Sequence, residues 1–149
     1  MFFGVSHVLL PVTQLERSAH LWCEVMGFAE TGRGEDYLDI DTGSVIVRLL
    51  RVATVESKQS LRVTVLQVDA AYRQLLAAGA LDRYAPMRTP EREEMACVSD
   101  PDGHAIVLWR ALSEDEFDCV PELPKEVHKD QYPSQYPQTP KAQTGIFSG

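Results

Sequence analysis

The sequence predicts an α+β fold of two duplicated βαβββ modules, whose curved mixed sheet surrounds a cleft and whose helices lie outside. Three observations carry this. Thr13-Gln14-Leu15-Glu16-Arg17-Ser18-Ala19 after Val12 is echoed by Leu66-Gln67-Val68-Asp69-Ala70-Ala71-Tyr72 after Val65, an offset of 53 residues from Val12 to Val65. Asp41-Thr42-Gly43-Ser44-Val45-Ile46-Val47 is echoed by Pro101-Asp102-Gly103-His104-Ala105-Ile106-Val107, an offset of 60 from Asp41 to Pro101. Each half also runs strand, helix, strand, strand, strand. A repeat of this size implies two similar half-folds, each with one helix on one face of a small sheet; the faces left uncovered can together enclose a cleft.

Val5 to Val12 alternates as a first strand. Residues 14–26 follow as a helix, with Leu15, Ala19, Trp22 and Met26 on one stripe. Thr13 and Glu16 have capping-box spacing, and Gly27 suits the left-handed residue that ends a helix. Strands are expected over 28–33, 36–41 and 44–51. The second module alternates over 61–66, then forms a helix over 68–78 with Val68, Ala71, Leu75 and Ala78 on its buried stripe. Strands follow near 83–87, 94–99 and 104–110. Asp100-Pro101-Asp102-Gly103 is a strong turn, because proline fixes φ, aspartate accepts backbone N–H groups and glycine tolerates positive φ.

The boundaries expected are one domain over residues 1–110, with modules of about 1–56 and 57–110, and a proline-rich acidic tail over 111–149. In the tail, Pro121, Pro124, Pro133, Pro137 and Pro140 preclude a long regular element. Its tyrosines and Phe147 are candidates for packing on a partner subunit.

A net charge of −8 and a pI near 4.9 argue against a nucleic-acid surface and against a polybasic membrane patch. No run approaches the 18 apolar residues of a membrane span, and the first residues lack the basic start of a secretory signal. A cytoplasmic location is the expectation. Cys23, Cys97 and Cys119 are too widely spaced for a zinc pair or a redox motif. Cys23 and Cys97 read as small buried hydrophobes.

His7-Val8-Leu9-Leu10-Pro11-Val12 leading into Leu15-Glu16-Arg17-Ser18, then Val25-Met26-Gly27-Phe28, and finally Asp100-Pro101-Asp102-Gly103-His104 entering the last strand, resemble the vicinal oxygen chelate superfamily. That superfamily includes glyoxalase I, extradiol dioxygenases and bleomycin-resistance proteins. The resemblance covers about residues 4–110 and implies the fold more firmly than any activity. It also implies metal ligands in the metal-dependent members: a histidine on each first strand and a glutamate on one or both last strands. Those positions here carry His7 and Ser60, Val47 and Val107, and only His7 is a good ligand. No metal and no cofactor are therefore expected, and no catalytic residue is assigned.

Strand alternation places His7 with Leu9, Arg62 with Ser60 and Thr64, Val47 with Leu49, and Val107 with Trp109. The expected ligand-binding set is His7, Val47, Leu49, Arg62, Thr64, Val107 and Trp109: a mainly apolar lining with His7, Arg62 and Thr64 as polar points. Arg48 alternates away from Val47 and is expected on the helix-covered face. Arg62 needs an acceptor, either a ligand carboxylate or phosphate or one of the protein's own acids. Trp109 either packs or stacks on a planar ligand. The expected function is metal-independent binding or sequestering of a small organic molecule, anionic or aromatic. The alternatives are a glyoxalase-like lyase, isomerase or dioxygenase, metal-free or with a nonstandard metal site, and a structural or interaction protein. The resemblance further implies a homodimer.

Overall fold

The computed structural model describes residues 1–118. The readings made above for Cys119 and for the prolines, tyrosines and Phe147 of the tail fall outside the described residues. The elements are β1 (His7–Val12), α1 (Leu15–Ala19) continued by a π-helical segment (His20–Val25), β2 (Ala29–Arg33), β3 (Tyr37–Asp41) and β4 (Ile46–Arg51), then β5 (Ser60–Thr64), α2 (Val68–Ala77), β6 (Leu81–Arg88), β7 (Glu93–Ser99), β8 (Ala105–Ala111) and α3 (Glu114–Asp118). They group into two compact units, Met1–Gln59 with Asp100–Gly103, and Ser60–Ser99 with the described chain from His104 to Asp118.

The first unit holds a four-stranded sheet in the order β1-β4-β3-β2. β1 runs parallel to β4 and the other pairs are antiparallel. Its core is the alternating set Leu10, Val12, Leu38, Ile40, Val47 and Leu49, each at most 2% exposed, under α1. Leu15, Ala19 and Trp22 supply the helix side as the periodicity predicts. Met26 is only half-buried and Leu21 is buried instead, because the second half of the helix widens to π geometry, with the Met26 N–H donating to the Leu21 carbonyl. Gly27, at φ +87°, ends it.

The capping box predicted from Thr13 and Glu16 does not form. Gln14 is the cap residue and its side chain makes no capping bond. The Thr13 hydroxyl instead donates to Asp102 Oδ1 at 2.7 Å, its N–H lies 3.3 Å from both Asp102 oxygens, and Glu16 pairs with Arg33. A buried carboxylate accepting charge-assisted bonds outcompetes a solvated local cap. Asp102 is held there by its own turn, where its N–H donates to Asp100 Oδ1 at 3.0 Å and Gly103 takes φ +90°.

The second unit repeats the topology in the order β5-β8-β7-β6, with β5 parallel to β8 and the rest antiparallel. α2 covers one face, packing on β6, β7 and β8. The opposite face carries a closed apolar cluster of Tyr84, Met87, Met95, Cys97, Ala105 and Val107. Tyr84 and Met87 are three apart and would point to opposite faces of a regular strand; register shifts in β6 on either side of Tyr84 bring both into the cluster.

Folded structure continues beyond residue 110, where the sequence reads as tail. Ala111 pairs with Glu93 in the ladder, and Leu112 is 7% exposed with its N–H on the Arg92 carbonyl. Ser113 and Glu116 then cap α3 reciprocally, each side chain accepting the other's backbone N–H, at 3.1 and 2.9 Å. The Ser-x-x-Glu spacing signals this in the sequence. Arg110–Glu116 and Arg92–Glu114 ion pairs add to it.

Candidate functional site

The helix-free faces of the two sheets carry different chemistry, and a single residue of turn length decides which side chains lie on them. Asp41 pairs with Ile46 around a turn of residues 42–45, whereas Ser99 pairs with Ala105 around residues 100–104, one residue more. On the parallel side, His7 pairs with Ile46 as Ser60 pairs with Ala105. The last strands therefore correspond at an offset of 59, Ile46 to Ala105, not at the 60 read from the turn sequences. Because side chains alternate with period two, the one-residue difference exchanges faces. Arg48, not Val47, is the structural counterpart of Val107. Val47 and Leu49 lie under α1 at 2% and 0% exposure, on the face opposite His7. The sequence-based face assignments of Val47, Leu49 and Arg48 are corrected accordingly.

On the first unit's helix-free face, His7 and Leu9 of β1 lie beside Arg48 of β4 and Tyr37 and Asp39 of β3. Arg48 grips Asp39 with two bonds, Nε to Oδ1 at 2.7 Å and Nη2 to Oδ2 at 2.9 Å. Its guanidinium carbon lies 4.1 Å from the centre of the Tyr37 ring. His7 Nε2 approaches the same Asp39 Oδ2 at 3.7 Å, and His7 Nδ1 is 2.9 Å from the Ser6 hydroxyl. The Arg48 guanidinium holds the Asp39 carboxyl below the usual carboxylate range against the opposing effect of burial, and His7 adds a smaller pull in the same direction. Leu9 is 55% exposed, so this face is open.

The second unit's helix-free face brings together Arg62, Thr64, Val107 and Trp109, as strand alternation predicts. Arg62 and Thr64 are exposed, while Val107 is 2% exposed within the apolar cluster and forms a floor. The Arg62 guanidinium carbon sits 5.2 Å from the centre of the Trp109 ring, and Nη1 is 3.9 Å from Glu93 Oε2. Of the two acceptors named for Arg62, the protein acid is near, at the long end of an ion pair, and the side chain remains 46% exposed. Among the described residues the Trp109 indole N–H has no hydrogen-bond partner, and it is enclosed rather than open to this face.

Sequence reasoning missed Asp39 and set Arg48 on the opposite face. The available signal was the shorter turn: antiparallel pairing across residues 42–45 sets Asp39 opposite Arg48. Neither described cysteine is activated. Burial pushes the Cys97 thiol up to about 11. Cys23 is half-buried rather than buried, and burial, Glu30 and Glu24 all raise its pKa. It lines a cavity of about 350 Å³ with Glu16, His20, Glu24, Glu30 and Arg33.

Among the described residues, no three His, Cys, Asp or Glu side chains converge to hold a metal ion. The positions implied by the resemblance do not fit one either. Val47 is enclosed under α1, Val107 cannot ligate, and the structural counterpart of Val107 in the first unit is a guanidinium. Among the described residues no helix is long and apolar enough to cross a membrane.

Comparison with known proteins agrees with this architecture. Residues 4–108 match the model of the Glyoxalase/Bleomycin resistance protein/Dioxygenase superfamily. No curated protein matches the chain. Among solved structures it is similar to TioX from Micromonospora sp. ML1, at 25% identity and a TM-score of 0.63, over 74% of this chain and 100% of that one. It is also similar to a glyoxalase/bleomycin resistance protein/dioxygenase family enzyme from Burkholderia phytofirmans PsJN, at 22% identity and a TM-score of 0.66, over 72% and 98% of the two chains. A glyoxalase-related enzyme from Fulvimarina pelagi matches at 22% identity and a TM-score of 0.64, over 72% and 88%.

Proposed function

The chain belongs to the glyoxalase/bleomycin resistance protein/dioxygenase superfamily, and from that premise we propose that it binds a small organic molecule without a protein-held metal, sequestering or presenting it rather than converting it. The observation that carries this reading is the half-exposed Arg62 stacked on Trp109 above the apolar floor of Val107. A flat aromatic face and a fixed positive charge suit a planar or anionic compound: area supplies affinity, and the polar groups set orientation. Thr64, exposed on the same face, adds a hydroxyl.

Native mass spectrometry of untreated protein should show a stoichiometric organic mass, and the compound recovered should be the same as that supplied to the cells or the medium. A chemically altered product would overturn sequestering in favour of turnover. Calorimetry with the recovered compound should show Arg62→Ala weakening binding about tenfold, roughly 1.4 kcal/mol, a modest loss because Arg62 is half exposed. Unchanged affinity in folded Arg62→Ala protein removes Arg62 from the site.

We also propose a homodimer, the commonest closed assembly. Light scattering of the full chain should give twice the chain mass at all working concentrations, and a monomer would refute it. A shortened chain for this comparison should end after Asp118, since ending it after Arg110 strips Leu112 and α3 from the fold.

A further inference from the structure

We propose that the helix-free face of the first unit carries an oxyanion site, in which Arg48 and His7 donate to a carboxylate or phosphate group beside Tyr37. The inference goes beyond the Arg62 reading and does not depend on it.

Arg48 is an anchored donor. An arginine side chain has five N–H groups, and the two bonds to Asp39 use Nε and one N–H of Nη2. The remaining three make no hydrogen bond within the described residues. With one edge fixed on Asp39 and one face on Tyr37, the guanidinium has little rotamer freedom left to lose when an anion arrives. It is 32% exposed, so solvent and small solutes reach it.

His7 is the second donor. Its Nε2 and Arg48 Nη2 approach one oxygen, Asp39 Oδ2, at 3.7 and 2.9 Å, so imidazole and guanidinium stand close together. When the Ser6 hydroxyl donates to Nδ1, Nε2 carries the proton and donates. The charge of Asp39 is already matched by Arg48, and Asp41, the other acid on this face, accepts the Gly43 N–H at 2.8 Å. The first-unit counterpart of Val107 is thus a guanidinium whose N–H groups not used by Asp39 can donate to an anion's oxygens.

The test uses full-length protein labelled for NMR, titrated with sodium phosphate and separately with sodium acetate against sodium chloride at constant ionic strength. Saturable movement of the His7 ring and Arg48 Nε–H signals is expected. Whichever anion acts at lower concentration identifies the head group as phosphate or carboxylate. Arg48→Gln should weaken the effect at His7 at least tenfold and Arg48→Lys less, whereas Arg62→Ala should leave it intact. That last arm separates failure here from failure of the Arg62 site. Absence of movement with both anions, or the same response in Arg48→Gln, would overturn the proposal. So would stoichiometric zinc binding to wild-type protein through His7.

Discussion

Val47→Glu is expected to leave the chain unfolded at room temperature, while Arg48→Glu, one position along, yields folded protein. Val47 is 2% exposed and packed with Leu10, Leu38, Ile40 and Leu49 beneath α1. A carboxyl group placed there has no donor, so it either stays charged in an apolar setting or takes up a proton and still lacks a partner. Together with the lost packing this costs about 4–6 kcal/mol, comparable to the whole stability of a small domain. Arg48→Glu removes a two-bond ion pair and sets like charges together, but on an open face where water can reach them. A loss far smaller than that of Val47→Glu is the expected outcome, because water screens an exposed pair. Urea unfolding followed by circular dichroism measures both. If Val47→Glu were tolerated and Arg48→Glu were not, the strand faces would be exchanged, and the anion site with them.

Asp102→Ala should destabilise the protein by about 2–4 kcal/mol. The Asp102 carboxylate is 4% exposed, accepts the Thr13 hydroxyl and lies within reach of the Thr13 N–H and Arg17. Removing it leaves the Thr13 hydroxyl and N–H, just ahead of α1, without their acceptor. Asp102→Asn keeps an acceptor of the same shape and should cost only about 1 kcal/mol, the difference reporting the charge. Equal stability of Asp102→Ala and wild type in urea would show that the contact with Thr13 is dispensable and that the turn sequence serves only its own geometry.

Much of this was written locally. The strand–helix–strand–strand–strand order, the glycines that end the helices and the strong 100–103 turn follow from side-chain periodicity and backbone preference, which act over a few residues. The shared face of Arg62, Thr64 and Trp109 was legible because each lies on a regular strand whose alternation predicts its neighbours. The Ser113–Glu116 cap had the same kind of local signature and was obscured by the prolines that follow it. The Thr13–Glu16 box had the signature and lost to a stronger acceptor distant in the chain.

The sequence by itself determined that this protein is a duplicated α+β fold, which residues alternate together on each strand and which side chains are able to ligate a metal. The tertiary structure alone decided which alternating set of β4 faces His7, because that depends on pairing register. Register is set jointly by turn length and by three strands meeting in a sheet. One residue fewer between Asp41 and Ile46 than between Ser99 and Ala105 turns Arg48 to the open face and buries Val47. The same holds for Asp102, which binds Thr13, just ahead of α1 and 89 residues away. A period of two is legible along one strand, but the face it selects is a property of the sheet.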